Sequence, residues 1–210
     1  LQSAVFAISN IVIQSAINSL GKVVMAASSA AYNIEVFAYD VMNSYNQACT
    51  TFVGQNYGAG QIRRCRKTLY LCLIEDAVSL GATVALVLLT GRFLLSIFNN
   101  DPQVVALGYD RLKIVFFAYI FSLLYEVMSG YLRGFGISLV PAALTALGVC
   151  GIRIAWIHFV FPQLPTLQTI MTSYPVSLSA TALMIFIALL CYRPARKHAA
   201  MERAPAPAGN

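Results

Sequence analysis

Three long stretches of this chain contain no charged residue, and they constrain its fold more than any other feature. They are Leu1–Leu20, Gly134–Ile152 and Ile154–Tyr192. A helix that spans a bilayer needs roughly 20 mostly apolar residues, and each stretch is about that long or longer. Only 10% of all residues are charged, against about 25% in soluble domains. Because so few charges cannot cover a water-facing surface, we predict an all-α, polytopic membrane protein whose surface is largely covered by the lipid bilayer.

Turn-forming residues divide the chain into six apolar segments, and each is predicted to be a transmembrane helix. Glycine, proline or an Asn-Asp-Pro sequence stands at every break. Strands are not expected, because a helix satisfies its own backbone groups in lipid. The predicted helices, one to six, are residues 1–20, 23–52, 69–95, 104–132, 141–161 and 167–192. Residues 193–210 form a basic tail that is predicted to be disordered.

Basic residues alternate between the predicted loops. They cluster after helices two, four and six, whereas the other loops contain only Lys22 and Arg92. The positive-inside rule then places the ends of the even-numbered helices and the C-terminus in the cytoplasm, as in a multi-pass protein of a bacterial inner membrane. The net charge of +6 therefore reflects topology, and no nucleic-acid partner is expected. The five cysteines lack metal-ligand spacing, so no metal or cofactor is expected either.

Helix two is polar on both sides, which predicts that it contacts protein or lines a wet cavity. Glu35 lies about 20 Å from its outer end at 1.5 Å per residue, near the bilayer midplane. An intramembrane carboxylate suggests a functional site; Glu35 either binds the coupling cation or is a structural carboxylate that pairs with a neighbour. Asp40 is a second candidate. The cavity-lining candidates on the face of Glu35 are Tyr32, Tyr39, Met42 and Asn46, and the opposite face carries Asn33, Asp40, Ser44 and Gln47.

Helix four carries a polar stripe of Tyr119, Ser122, Glu126 and Arg133, in which Tyr119 and Ser122 are further cavity-lining candidates. Glu126, about 9 Å from the cytoplasmic end, is a third coupling candidate that either lines the inner part of a cavity or pairs with Arg133. In helix three, Glu75 and Asp76 are expected to offset the nearby basic cluster at the membrane interface.

Helices five and one add further polar groups. Arg153 is the one basic residue that we place deep in the membrane, and it is also a cavity-lining candidate. It either pairs with Glu35 or, as we favour, extends toward the outer surface. Helix one has a polar side formed by Asn10, Gln14 and Asn18, which suits helix contacts or a cavity wall.

Two glycine-containing motifs indicate a family. The first, Phe52–Gly60, includes Gly54, Gln55, Asn56 and Gly58 and is predicted to form the loop after helix two. The second, Ser129–Pro141, includes Arg133, Gly134, Gly136 and Pro141 and is predicted to connect helices four and five. In content and position both resemble motifs of the multidrug and toxic compound extrusion (MATE) transporters, and the chain resembles their C-terminal six-helix lobe. We expect these residues to be structural or gating elements, because substrate sites of such folds lie near the midplane.

The resemblance implies a full protein of twelve helices in two lobes, so that the partner of this chain is a missing N-terminal six-helix lobe. The implied activity is not enzymatic: an amphipathic or cationic small molecule leaves while H+ or Na+ enters as coupling ion. Helix one has no acidic residue, which departs from the family pattern. Two alternatives stay open. One is a lipid-linked saccharide flippase, which would need many deep basic residues; the other is a non-transporting fragment or membrane scaffold.

Overall fold

The computed structural model of the protein describes the backbone of residues 2–194 and the side chains of residues 6–194. Within these residues it is helical with no strand, which confirms the all-α prediction. The elements are α1 (Gln2–Ser19), α2 (Lys22–Gly58), α3 (Ile62–Phe98), α4 (Pro102–Gly134), α5 (Leu139–Thr145), a π-helical segment (Ala146–Gly151), α6 (Ile152–Phe159), a 3-10 turn (Phe161–Gln163) and α7 (Leu167–Tyr192). The predicted tail, residues 193–210, lies outside the described residues except for Arg193 and Pro194.

The exposed surface of the helices is apolar enough for lipid. By length and composition, four helical units could cross a membrane: α3, α4, the run Leu139–Gln163 and α7. Large apolar side chains are exposed on its surface; Leu89 is 86% exposed and Phe93 is 68% exposed. Exposed apolar surface on this scale is rare on soluble monomers, and together with the four candidate spans it identifies a multi-pass membrane protein. Helices α1 and α2 contain more polar residues, as expected of helices that line a cavity.

Side-chain caps explain where two helices begin. The carboxylate of Asp101 accepts a hydrogen bond from the backbone N–H of Gln103 at 2.8 Å, and Pro102 occupies the first helical position of α4. At the start of α7, the hydroxyl of Thr166 accepts from the N–H of Thr169 at 3.1 Å. Both arrangements satisfy backbone donors that a helix start leaves free.

The structure corrects the predicted position of the first glycine motif. Most of it, including Gly54, Gln55, Asn56 and Gly58, belongs to the last turns of α2 and not to a loop. The turn itself is short and depends on Gly60, whose φ of +70° is one that glycine adopts without strain. The second motif does span a turn: Arg133 and Gly134 end α4, Gly136 has a φ of +80°, and Pro141 lies within α5.

The parallel helices α2 and α4 form the centre of the fold, with α3 and α7 packed around them. Their backbones come close at Gly130, where an added Cβ would lie 2.5 Å from the carbonyl oxygen of Asn46. The hydroxyl of Thr50 donates to the carbonyl oxygens of both Asn46 and Gly130, at 2.9 and 3.2 Å. A glycine on α4 therefore permits direct backbone contact between the two central helices.

A buried ion pair joins the same two helices farther from the glycine motifs. The guanidinium of Arg111 donates two hydrogen bonds to the carboxylate of Glu35, at 2.7 Å from Nε and 2.8 Å from Nη2. The side chains of Arg111 and Glu35 are only 3% and 4% exposed. The hydroxyl of Tyr119 also donates to the backbone oxygen of Glu35 at 3.4 Å. Two parallel N–H···O bonds are the strongest form of an Arg–carboxylate pair, so α2 and α4 are fixed to each other at this level.

The first prediction concerns this ion pair. Glu35→Gln leaves the Arg111 guanidinium buried without a counter-ion, and we expect it to lower the free energy of unfolding by about 3–5 kcal/mol. The double variant Glu35→Gln/Arg111→Gln removes both charges and should recover most of that loss. Thermal unfolding in detergent micelles, followed through Trp156, the single tryptophan, measures both effects.

Asp110 and Lys113 provide a matched control, because they form an ion pair at 2.6 Å with side chains 63% and 50% exposed. Asp110→Asn should change stability by no more than about 1 kcal/mol. Equal Tm values for the wild type and Glu35→Gln would show that the buried pair does not stabilise the contact between α2 and α4.

The second prediction concerns the close helix contact. In Gly130→Ala the new methyl group meets backbone and side-chain oxygens of Asn46, and we expect destabilisation of about 1–3 kcal/mol. Gly81→Ala is the control, because a Cβ at Gly81 meets nothing within 4 Å, and alanine is the better helix former by about 0.5–1 kcal/mol. The same unfolding assay should rank Gly130→Ala below the wild type and Gly81→Ala at or above it; the reverse order would contradict the packing described here.

Candidate functional site

A polar cavity lies between α1, α2, α4 and α5, toward the end of the fold that carries the glycine motifs. Its volume is about 490 Å³. We call it the Glu126 cavity, after the acidic residue in its wall. The lining residues are Phe6, Ala7, Asn10, Tyr39, Asn43, Asn46, Glu126, Arg133 and Thr145.

Glu126 is held at the wall of this cavity by neutral donors. The side-chain amide of Asn46 donates to Oε2 at 2.5 Å, and the hydroxyl of Tyr39 donates to Oε1 at 3.3 Å. Arg133 lines the same cavity, but in the described part of the chain it forms no ion pair with Glu126. Of the two interpretations of Glu126 left open by the sequence, the structure favours the cavity wall. A carboxylate without a bound counter-ion can take up a proton or a cation without first breaking an ion pair.

A second cavity lies between α1 and α2 and reaches the buried ion pair. It has a volume of about 500 Å³, and we call it the Arg111 cavity. The lining residues are Asn10, Ile11, Ile13, Gln14, Ile17, Ser28, Ser29, Tyr32, Asn33, Arg111 and Tyr174. Asn10 lines both cavities, so they lie next to each other along the polar side of α1. Asn18 lies one turn farther along α1, where its side-chain oxygen accepts a hydrogen bond from Gln14 at 2.8 Å.

Three predicted cavity residues lie inside the fold instead. Met42 is fully buried, Ser122 is 2% exposed and Tyr119 is 7% exposed. They face the contact between α2 and α4, where Met42 packs in the apolar core. The prediction that these side chains line a cavity is therefore corrected. Helical periodicity identified the correct face of each helix, but the part of it with these three side chains is buried, whereas Tyr39 and Asn46 on the same face of α2 line a cavity.

Arg153 follows neither of the two interpretations made from the sequence. It is buried, its Nε donates to the hydroxyl of Ser177 at 3.0 Å, and its guanidinium carbon lies 4.0 Å from the centre of the Tyr174 ring. It neither reaches the outer surface nor pairs with Glu35, whose partner is Arg111. The cation–π contact with Tyr174 is an attractive interaction for a desolvated guanidinium.

Asp40 lies on an exposed stripe of α2. We call this surface the α2 polar stripe; its residues are Asn33, Phe37, Asp40, Ser44 and Gln47. A charged side chain at the bilayer centre costs at least about 2.5–3.5 kcal/mol, and the stripe adds three neutral polar residues to that carboxylate. Lipid is therefore an unfavourable environment for this face of α2.

Two buried charged residues were not recognised from the sequence. Arg111 lies within a predicted apolar helix, where the nearby Asp110 and Lys113 signal a charged segment. Asp76 was expected to offset the basic cluster, yet it is 0% exposed, whereas its neighbour Glu75 is exposed. The signal for Asp76 was its spacing of four residues from Cys72 and from Leu80, both on the buried face of α3.

Comparisons with known proteins agree with this architecture. A probable multidrug resistance protein NorM of Chromobacterium violaceum is 30% identical over 128 residues, which are 60% of this chain and 27% of that protein. Multidrug and toxin extrusion protein 1 of Mus musculus is 32% identical over 130 residues, 61% of this chain and 23% of that protein. The aligned part is thus about a quarter of the length of these relatives.

Solved structures show the same fold at low sequence identity. A crystal structure of MATE in complex with MaL6 matches 97% of this chain and 45% of its own, with a TM-score of 0.78 and 14% identity. A MOP superfamily transporter from Pyrococcus furiosus matches 98% of this chain and 46% of its own, with a TM-score of 0.80 and 15% identity. The chain therefore corresponds to about half of such a transporter, one lobe.

The sequence pattern of one protein family, described as MatE, matches residues 1–157. This stretch contains both glycine motifs, both central helices and most residues of the two cavities. The chain belongs to the MatE family of multidrug and toxin extrusion transporters.

Proposed function

We propose that this chain is the C-terminal lobe of a secondary exporter that removes amphipathic or cationic drugs in exchange for H+ or Na+. The observation that carries the proposal is Glu126: a buried carboxylate in the wall of a polar cavity, which accepts hydrogen bonds from neutral groups such as Tyr39 and Asn46 and forms no ion pair in the described part of the chain. A buried charge without a counter-ion is unfavourable in a low-dielectric site. Glu126 is therefore stabilised when a proton or a cation binds to it.

Among the three acidic candidates, Glu126 suits a coupling role better than Glu35 or Asp40. Glu35 already has its positive partner in Arg111, and a cation could bind there only after this ion pair opens. Asp40 is exposed and borders neither of the two cavities. We therefore assign Glu35 to the ion pair that holds α2 against α4. Asp40 is assigned to the surface that would face the second lobe and the substrate.

The α2 polar stripe supports a two-lobe protein. Because the stripe is exposed on this lobe and unfavourable in lipid, we infer that it faces the cleft between this lobe and an N-terminal lobe of six further helices. Asp40 gives that cleft a negative charge, and Phe37 provides an aromatic surface. Both features suit an organic cation.

The orientation of the lobe in the membrane follows from the position of the basic residues. We infer that the ends of α2 and α4 with the glycine motifs are cytoplasmic in a bacterial inner membrane, since the basic cluster after α2 lies there. The coupling cation would then reach Glu126 through the cavity and change its hydrogen bonds to α2. Because Tyr39 and Asn46 both lie on α2, binding at Glu126 on α4 alters the contact between the two central helices.

The third prediction tests the coupling residue. In the complete transporter, Glu126→Gln keeps the shape of the side chain and removes its charge, so drug efflux should no longer depend on a proton or sodium gradient. The measurement is ethidium efflux from proteoliposomes under an imposed gradient of either ion. Glu75→Gln is the matched control, since that carboxylate is exposed on α3, and it should transport as the wild type does.

Unchanged gradient dependence in Glu126→Gln would exclude Glu126 as coupling residue. Failure of the wild-type transporter to move ethidium in either gradient would exclude drug efflux. The flippase alternative can be tested in the same vesicles with a lipid-linked saccharide. We do not favour it, because the described basic residues deep in the fold, Arg111 and Arg153, are already engaged by Glu35 and by Tyr174 and Ser177.

A further inference from the structure

A groove opens between α3 and α7 at the end of the fold that carries the glycine motifs. Both helices pack against α4, and the buried Tyr131 of α4 lies in the floor. The volume of this space, which we call the α3–α7 groove, is about 280 Å³. Leu69 from α3 and Leu189 from α7 are part of its walls. The groove shares no lining residue with the Glu126 cavity or the Arg111 cavity, so the proposed transport function does not account for it.

Two arginines line the groove, one from each wall. Arg66 lies early in α3 and Arg193 directly follows the last residue of α7; both side chains are exposed. Among the described residues neither arginine forms an ion pair, and none of those that line the groove is acidic. The groove therefore carries two positive charges that no described protein group neutralises.

The end of α7 holds Arg193 in position. Its φ of +42° is left-handed, a conformation in which helix ends usually have glycine. Its backbone N–H donates to the carbonyl oxygen of Leu189 at 3.0 Å, and its Nε donates to that of Leu190 at 2.9 Å. These bonds cover carbonyl groups of the helix end that would repel an anion. Because only Nε is used, the two Nη groups of the guanidinium are available to a ligand.

Exposed apolar side chains continue from the two arginines along both helices, toward the middle of each helix. They are Tyr70, Ile74 and Val78 on α3 and Leu183, Ile187 and Leu190 on α7. Within each helix they are three or four residues apart, so that each set lies on one face. Tyr70 and Leu190 line the groove, and the other residues extend the same two faces beyond it. The groove thus combines a basic end with two apolar tracks.

A ligand that matches this groove has a phosphate group at one end and hydrocarbon chains at the other. Arginine binds phosphate through parallel N–H···O bonds, and basic pockets between transmembrane helices on the cytoplasmic side bind anionic lipid headgroups. A soluble phosphate compound would make no use of the apolar tracks. A zwitterionic lipid would bring its ammonium group toward the two guanidinium groups, and no acidic lining residue is described that could bind it.

A pocket between α4 and α7, near the opposite end of the lobe, shows why the charge of the groove is informative. Its volume is about 530 Å³, and Arg111 and Lys113 are among its lining residues. Arg111 is paired with Glu35, and Lys113 is paired with Asp110. Since both basic groups are already neutralised, we expect no preference for an anion in that pocket.

We propose that the α3–α7 groove binds an anionic phospholipid of the cytoplasmic leaflet, with its phosphate at Arg66 and Arg193 and its acyl chains along α3 and α7. The assignment to that leaflet rests on the orientation proposed above, whereas binding of the lipid does not depend on drug efflux. Because α3 and α7 both pack against α4, the lipid would bridge two helices that flank the central pair.

The fourth prediction uses a phosphatidylglycerol that carries a photoreactive diazirine in one acyl chain. The complete transporter is placed in phosphatidylcholine nanodiscs with a small fraction of this lipid, and labelled peptides are identified by mass spectrometry after illumination. We expect label in segments 69–78 and 183–190. Excess unlabelled phosphatidylglycerol should remove it, whereas phosphatidylethanolamine and glycerol 3-phosphate should not.

Two variants and a matched control test the arginines. Arg66→Gln and Arg193→Gly should each lower the labelling of these segments about fivefold, because each removes one positive charge from the phosphate site. Glycine suits the left-handed end of α7, so reduced labelling of Arg193→Gly would not reflect a weakened helix end. Arg64→Gln is the control, since Arg64 is exposed, does not line the groove and lies on the opposite side of α3 from Arg66; it should label as the wild type does.

Equal labelling of all four proteins, or equal labelling by a phosphatidylcholine with the same diazirine chain, would overturn the inference. Selective labelling that appears only after removal of residues 195–210 would also overturn it, because the C-terminal tail would then be the occupant. Ethidium efflux separates these outcomes from the proposed function. A wild type that labels selectively but moves no ethidium would contradict the exporter proposal alone. A wild type that moves ethidium without selective labelling would contradict the lipid site alone.

Discussion

The bidentate ion pair between Glu35 and Arg111 determines how the two central helices are related. It fixes α2 against α4 at one level, and the backbone contact at Gly130 fixes them at another. Lipid offers no polar partner to a charged group, so neither side chain can leave without a large free-energy cost. Because α2 is held in this orientation, Asn46 lies inside the fold, Tyr39 lines a cavity and Asp40 lies on the exposed surface.

This arrangement separates the acidic residues of the lobe by function. Glu35 is neutralised by an arginine and stabilises the fold. Glu126 forms no such ion pair in the described part of the chain; its carboxylate accepts hydrogen bonds from Tyr39 and Asn46 on α2. In the exporter that we propose, the ion pair would keep the helices together, and the charge of Glu126 would change when a cation binds. The contacts of Glu126 with α2 connect that change to the helix whose polar stripe is exposed.

Much of the fold could be predicted from the sequence, because long uncharged runs and turn residues mark the helices directly. The candidate site was less predictable. Periodicity put Glu35, Met42 and Asn46 on one face of α2, but it cannot tell whether that face meets water or another helix. The pairing of Glu35 depends on the distance between α2 and α4, which only tertiary structure provides. Asp76 was misassigned for a similar reason. Its closeness in sequence to the basic cluster suggested a position at the membrane surface, but its spacing along α3 places it on the buried face of that helix.

Thermodynamic linkage provides the most direct test of the central claim, that cation binding at Glu126 governs drug binding. If the cation and the drug are exchanged by one protein, each must weaken the binding of the other by the same factor. The measurement is the affinity of the purified transporter for ethidium as a function of pH and of Na+ concentration. The affinity should fall as the coupling cation binds to the wild type and should be independent of that cation in Glu126→Gln. The same cation dependence in both proteins would contradict the claim.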